Sequence, residues 1–176
     1  FVPENEGDEV QLEPGQGTGT LLISHWFDDE TSDESERGLL LYTNFASAGN
    51  GEYGVEQTME ESAQGDTIYF LTVDVGNPSS GTVGNTFYNL DGFPGYRVEV
   101  WVGDYLFESH WDQLEIEEGQ IETATLQFRI YEGSVHEGDP ITIRLINENN
   151  VMDPDPAARN HVEVDFDNVR MVTGPI

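Results

Sequence analysis

The sequence predicts an all-β protein: a single β-sandwich or jelly roll of roughly nine or ten strands with an extended N-terminal arm. Segments rich in β-branched and aromatic residues recur along the chain, and turns containing Gly, Asn and Asp separate them. Several of these segments alternate apolar and polar residues with the period of two that a half-buried strand requires. No stretch shows helical periodicity, so the pattern favours a sandwich or jelly roll.

The predicted strands follow one another from residue 20 to residue 172. Thr67–Val75 is the clearest, because its β-branched and aromatic composition is typical of a buried strand. His161–Val172 places Val162, Val164 and Phe166 in alternation against Glu163, Asp165 and Asp167. The other predicted strands are Thr20–Phe27, Gly38–Phe45, Tyr53–Met59, Tyr96–Val102, Tyr105–Glu108, Thr123–Tyr131 and Pro140–Ile146.

The length of 176 residues suits one folded domain. Residues 1–18 are rich in Glu, Gly and Pro, which predicts an extended arm, and residues 19–176 are predicted to form the sandwich. Within the arm, Val10 and Leu12 alternate with polar residues, which is enough for one edge strand.

The charge balance argues against two classes of partner. The chain has 35 acidic and 6 basic residues, all of them Arg, for a formal net charge of −29. A nucleic-acid-binding protein needs a basic surface to neutralise phosphates, and an anionic membrane would repel this chain. The sequence has no apolar run long enough for a transmembrane helix.

The composition supports a packed, exported protein. Hydrophobic residues make up 36% of the chain and aromatic residues 11%, which is sufficient for a core. The absence of cysteine excludes disulfides and Cys-ligated zinc. A sequence that begins at Phe1 fits a mature form after removal of a signal peptide, so an extracellular or cell-surface location is expected.

Four segments in order resemble a galactose-binding-like β-sandwich domain of exported bacterial proteins, many of which carry a PEP-CTERM sorting tail. They are Thr67–Gly76 (TIYFLTVDVG), Gly92–Val102 (GFPGYRVEVWV), Ile141–Ile146 (ITIRLI) and Val164–Met171 (VDFDNVRM). The resemblance covers about residues 53–172. It implies the fold and export and little about activity, and no PEP tail is present.

The sequence shows no motif for nucleophilic or metal-assisted catalysis. The four histidines, His25, His110, His136 and His161, lack metal-ligand spacing, and there is no GxSxG motif and no Cys nucleophile. Carboxylates suited to acid–base chemistry are so numerous that the proximity of two carries no information. We therefore expect a protein without enzymatic activity.

A structural calcium ion is one expected cofactor, since acidic loops supply its oxygen ligands. In related sandwich modules, calcium lies where the first core strand meets the last. That resemblance implies Asp167 as a ligand, with Asp28 or Asp29 as its partner. The alternative is that Asp167 caps a turn or pairs with Arg170.

Two functions then follow as expectations, and both are extracellular. In the first, the protein is a structural subunit of a filament or matrix. The N-terminal arm donates a strand to another copy and buries Val2, Val10 and Leu12. In the second, it is a carbohydrate-binding module for an extracellular polysaccharide. Trp101, Tyr105 and Trp111 would then form the aromatic platform that sugars require.

Overall fold

The computed structural model describes residues 16–22, 37–43, 53–83, 85–148 and 162–176. Within these ranges every regular element is a β-strand, which confirms the predicted all-β fold. The strands are β1 (Gln16–Leu22), β2 (Arg37–Thr43), β3 (Tyr53–Ser62), β4 (Thr67–Asn77), β5 (Gly81–Val83), β6 (Thr86–Tyr88), β7 (Tyr96–Val102), β8 (Tyr105–Trp111), β9 (Gln120–Ile130), β10 (Pro140–Asn147) and β11 (Val162–Pro175). No described helix is long and apolar enough to cross a membrane.

Two antiparallel sheets form the body of the sandwich. The five-stranded sheet has the order β1-β2-β11-β4-β9, and the four-stranded sheet has the order β3-β10-β7-β8. A small β5–β6 hairpin stands apart from both. The last strand, β11, is therefore internal: it pairs with β2 on one side and with β4 on the other.

The core lies between the two sheets and follows from the alternation of side chains along each strand. On β4, Tyr69, Leu71, Val73 and Val75 occupy every second position and are buried. Buried apolar side chains of β7, β9, β10 and β11 complete this core. The rings of Tyr69 on β4 and Phe128 on β9 stack with their centroids 4.6 Å apart. Burial of this apolar surface is the main stabilising term of such a fold.

A β-bulge divides β11 into two halves. Asp167 pairs with Asp74 and Arg170 pairs with Thr72, so β11 uses one more residue than β4 between these two pairs. Asn168, inside the bulge, has a φ of 49°, a left-handed conformation that asparagine tolerates better than most residues.

The structure changes the boundaries of several predicted strands. β8 extends to Trp111 and β11 to Pro175, whereas Tyr105–Glu108 and His161–Val172 were expected. Between the predicted strands Thr67–Val75 and Tyr96–Val102 the structure adds the short β5–β6 hairpin. β1 begins at Gln16, and the arm residues Val2, Val10 and Leu12 lie outside the described residues.

Truncation of a buried core side chain should lower stability far more than the same truncation of an exposed side chain. Val73 is fully buried, and Val135 is 89% exposed. We expect Val73→Ala to lower the free energy of unfolding by about 2 kcal/mol, because two methylene equivalents leave the core and a cavity remains. Val135→Ala should change it by less than about 0.5 kcal/mol. Chemical denaturation measures both, and equal losses would contradict the assigned core.

Candidate active site

The internal strand β11 carries acidic residues that are buried. Val164 and Phe166 point into the core, and Glu163 and Asp165 alternate with them on the outer face of the five-stranded sheet. Nevertheless Glu163 is only 9% exposed and Asp165 only 4%. A strand that is buried on both faces and carries carboxyl groups on one of them is unusual, because burial of a charge is costly.

Among the described residues, no side chain stabilises a negative charge on Asp165. Neither carboxyl oxygen, Oδ1 or Oδ2, has a hydrogen-bond partner, and its register partners are Leu40 on β2 and Gly76 on β4. Burial, and then the charge of Glu163, hold the pKa of Asp165 well above its ordinary value of 3.8. Its surroundings therefore favour the neutral, protonated form of the carboxyl group.

Glu163 reinforces this effect. The two side chains are two residues apart on one face of the strand, so a negative charge on one disfavours ionisation of the other. Burial raises the pKa of Glu163 from its ordinary value of 4.5 to about 7. Both carboxyl groups are thus biased towards their protonated forms, and Asp165 is the more buried of the two.

A carboxylic acid kept protonated near neutral pH is a proton donor. Its burial keeps water from competing for the proton, and its lack of a hydrogen-bond partner leaves the O–H group available to a bound molecule. This arrangement suits acid–base catalysis without a nucleophile or a metal.

The acidic residues next along the same face already accept hydrogen bonds from neighbouring Thr and Asn residues. Asp74 accepts hydrogen bonds from the Thr123 hydroxyl at 2.6 Å and from the Asn168 amide at 2.7 Å. Asp167 accepts the backbone N–H of Asn168 at 2.7 Å, which is the turn-capping role considered as the alternative to calcium binding. Among the residues that the structure describes, no group of three acidic or histidine side chains is arranged to hold a metal ion. These side chains alone do not fit calcium, and Asp28 and Asp29 lie outside the described ranges.

The predicted sugar platform is divided between the two ends of β8. Trp111 and Tyr105 lie at its last and first residues, about 20 Å apart for an extended strand. Trp101 is on β7, where its indole N–H donates to Glu99 at 2.6 Å and the Arg144 guanidinium lies 4.6 Å from its ring centroid. The three side chains therefore do not form one continuous surface.

An apolar groove of about 190 Å³ opens between β3, β10 and the second half of β11. Val55, Met59, Ile143, Leu145, Val169 and Met171 provide most of its lining. Val169 and Met171 pack against the core side of β11, whereas Asp165 is on the outer side. The groove and the buried acid are thus separate features.

Fold and site together define a β-sandwich protein equipped for proton transfer. Comparison with known proteins then gives the family: the sequence profile described as HpiC1 cyclase matches residues 11–172, so the chain belongs to the HpiC1-like cyclase family. No curated protein sequence matches it significantly.

Solved structures agree with this assignment. An apo cyclase from Fischerella sp. is 29% identical, with a TM-score of 0.71 over 99% of this chain and 78% of that one. A cyclase from Fischerella sp. TAU in complex with 4-(1H-indol-3-yl)butan-2-one is 32% identical, with a TM-score of 0.72 over 99% and 80%. A Stig cyclase from Fischerella sp. TAU in complex with (3Z)-3-(1-methyl-2-pyrrolidinylidene)-3H-indole is 31% identical, with a TM-score of 0.71 over 99% of this chain and 80% of that one.

The resemblance to a galactose-binding-like, PEP-CTERM-type domain is wrong, since the matching family is that of HpiC1-like cyclases. The segments that suggested it contain β4, β7, β10 and part of β11. Their alternation is imposed by burial between two sheets, which every β-sandwich requires. Such segments therefore specify the fold and leave the family open.

The expectation of a protein without enzymatic activity is also wrong, because the family and its structural neighbours are cyclases. The filament subunit, the carbohydrate-binding module and their partners, copies of the chain or a polysaccharide, are wrong with it, since the neighbours bind small indole compounds. The absence of nucleophile and metal motifs misled the prediction. Proton transfer needs only one shielded, protonated carboxyl group, which packing creates and no motif records.

The pH dependence of stability should report the burial of Glu163. Its pKa is 4.5 when exposed and about 7 when folded, so the folded state binds the proton more tightly. This contribution to stability is complete below pH 4.5 and is lost as the pH rises through about 7. At 1.36 kcal/mol per pKa unit, the loss is on the order of 3 kcal/mol.

Glu163→Gln removes this titration and should flatten the fall in unfolding free energy between those pH values. Glu132→Gln alters an exposed glutamate and should keep the wild-type slope. Urea denaturation at several pH values measures all three proteins. A Glu163→Gln profile parallel to that of the wild type would show that Glu163 is ionised in the fold.

Proposed function

We propose that this protein is a cyclase in which Asp165 is the proton donor and the substrate is a neutral molecule that carries an indole ring. The observation that supports this most directly is the carboxyl group of Asp165, which is 4% exposed and has neither oxygen hydrogen-bonded. Membership of the HpiC1-like cyclase family makes ring closure the reaction that this acid serves.

The proposed reaction begins with transfer of the Asp165 proton to a carbon–carbon double bond of the substrate. The π electrons form the new C–H bond, and a carbocation remains on the adjacent carbon. A second π bond of the substrate attacks this carbon and closes the ring through a new C–C bond. Loss of a proton to the Asp165 carboxylate restores the acid, so substrate and product are isomers and no co-reactant is consumed.

The surroundings of Asp165 suit both proton transfers. Burial keeps the acid protonated before the reaction, and it makes the carboxylate that forms in the first transfer a strong base. The nearby Glu163 has the same effect, since its negative charge would disfavour a lasting carboxylate at Asp165. The side chain is therefore set to release a proton and to recover it.

Charge and likeness to known complexes both favour an indole-bearing neutral substrate. A protein of net charge −29 repels anions such as diphosphates, whereas it does not repel a neutral or cationic molecule. The ligands of the two Fischerella sp. TAU complexes share the indole framework. An indole with an unsaturated side chain at C3 is consequently the substrate class to test.

Loss of the Asp165 proton should abolish cyclisation and leave the fold intact. Asp165→Asn keeps the shape of the side chain and removes the acid, so we expect turnover to fall by roughly 10²–10⁴-fold, the usual contribution of a general acid. Turnover is followed as conversion of the indole substrate to an isomer of unchanged mass, and in D₂O the product should gain one deuterium.

Asp104→Asn is the matched control, since Asp104 is an exposed residue of the turn between β7 and β8. It should cyclise the substrate at the wild-type rate. Wild-type turnover in a folded Asp165→Asn variant would remove Asp165 from the mechanism.

Calcium binding and export remain proposals. We propose that calcium, held by Asp167 with Asp28 or Asp29, stabilises the fold, and that the protein acts outside the cell. The support is the density of carboxylates in these segments and the acidic composition of the chain. The reaction proposed above does not depend on either.

If calcium binds the folded state alone, it should raise the melting temperature by several degrees over that in a chelator. The Asp167→Asn variant should lose this difference, whereas Asp104→Asn should keep it. Melting curves at low ionic strength test this, because screening of the net charge is then weak. Identical wild-type curves with calcium and with chelator would exclude the site.

A further inference from the structure

A glycine lies beside the buried acid in the five-stranded sheet. Gly76, near the end of β4, is the register partner of Asp165, and Ile121 on β9 is in turn the register partner of Gly76. Glycine is depleted in strands because it adds no packing and costs conformational entropy, and within a strand it often marks a place where another group approaches the backbone.

The backbone conformation does not explain this glycine. Among the described glycines, those with a left-handed φ are Gly92, Gly95, Gly103, Gly119, Gly133 and Gly138, and Gly76 is not one of them. An alanine could therefore adopt the conformation of residue 76. What glycine provides there is the absence of a side chain.

Gly76 is buried, as Asp165 is, and the missing side chain is confined to the row of the sheet that contains Asp165. Adjacent strands are about 4.8 Å apart, so β11 and β9 are separated by about 10 Å across Gly76. One row further along the same face, the space is filled, because Asp74 stands opposite Asp167 and accepts hydrogen bonds from Thr123 and Asn168. Between Asp165 and Ile121, in contrast, β4 contributes no side chain.

We propose that Gly76 is the floor of the substrate site and limits the size of the ring that the site accepts: the planar indole ring lies over its backbone, between Asp165 and Ile121. This inference rests on the proposed function and adds a specificity-determining residue to it. The independent observation behind it is the Asp165 carboxyl group, buried and without a hydrogen-bond partner, on the strand next to this bare position.

The effect of a side chain at position 76 follows from the distances that the reaction requires. A ring in van der Waals contact with the backbone lies about 3.5–4 Å above it. A Cβ atom would stand about 1.5 Å above the Cα atom and displace the ring by a similar amount. Proton transfer requires an approach of about 2.6–3.2 Å, so a displacement of this size separates the substrate from the acid.

The test is calorimetric titration of the full chain with 4-(1H-indol-3-yl)butan-2-one and with its single-ring analogue 4-phenylbutan-2-one. We expect Gly76→Ala to weaken binding of the indole compound by about tenfold or more while the phenyl compound loses much less, and Gly76→Val to exclude both. The control is Gly174→Ala on β11, where a Cβ would meet Ile68 Cγ2 at an ordinary 3.6 Å. It should bind both compounds as the wild type does.

Melting temperatures of the same variants separate a loss of binding from a loss of folding. Gly76→Ala should melt no lower than the wild type, since alanine suits a strand better than glycine, and it keeps the test valid if Gly76→Val does not fold. Equal loss of both compounds, or unchanged binding by Gly76→Ala while the wild type binds and cyclises, would overturn the role of Gly76 and leave the proposed function standing. A wild-type protein that neither binds nor cyclises an indole would overturn both.

Discussion

The position of β11 inside the five-stranded sheet is the constraint on which the site depends. Because β2 pairs with residues 162–166 and β4 with residues 165–175, both edges of the strand are paired at Asp165. Its inner face is sealed by the core, where Val164 and Phe166 are buried. On the remaining, outer face Asp165 is only 4% exposed, so ionisation of its carboxyl group is costly. The proton-donating character of Asp165 thus depends on its burial on the central strand of the sheet.

The chain accommodates its acidic residues in three different ways. Most are on the surface, where water solvates each charge and the sum keeps the protein soluble. Glu99 and Glu148 show a second solution, since both are buried and lie 2.7 Å from the Arg97 guanidinium. Glu163 and Asp165 are shielded from solvent and have no described cation beside them. Burial raises the pKa of both carboxyl groups and favours their protonated forms. Acidic residues therefore contribute solubility, ion pairs or a proton-donating group, according to their surroundings.

The fold was predictable from the sequence because alternation along each strand is a local signal. Segments such as Thr67–Val75 and Tyr96–Val102 became β4 and β7 with boundaries close to those expected. The site was not predictable in this way. Glu163 and Asp165 were recognised as one face of the last strand, yet their burial depends on how the folded chain covers that face, which alternation does not encode. Gly76 was likewise visible only as the end of a strand until its register partner was known.

The β-bulge at Asn168 has a consequence for how the chain can vary. Before it, even-numbered residues such as Val164 and Phe166 face the core; after it, odd-numbered residues such as Val169 and Met171 do. The bulge thus shifts the inward–outward alternation of side chains by one residue. Loss of one residue there would force either the acids or the aliphatic side chains of the second half onto the opposite side of the sheet. The segment between Asp165 and Met171 therefore tolerates substitution far better than a change in length, and variation among homologous chains should respect that spacing even where the residues themselves differ.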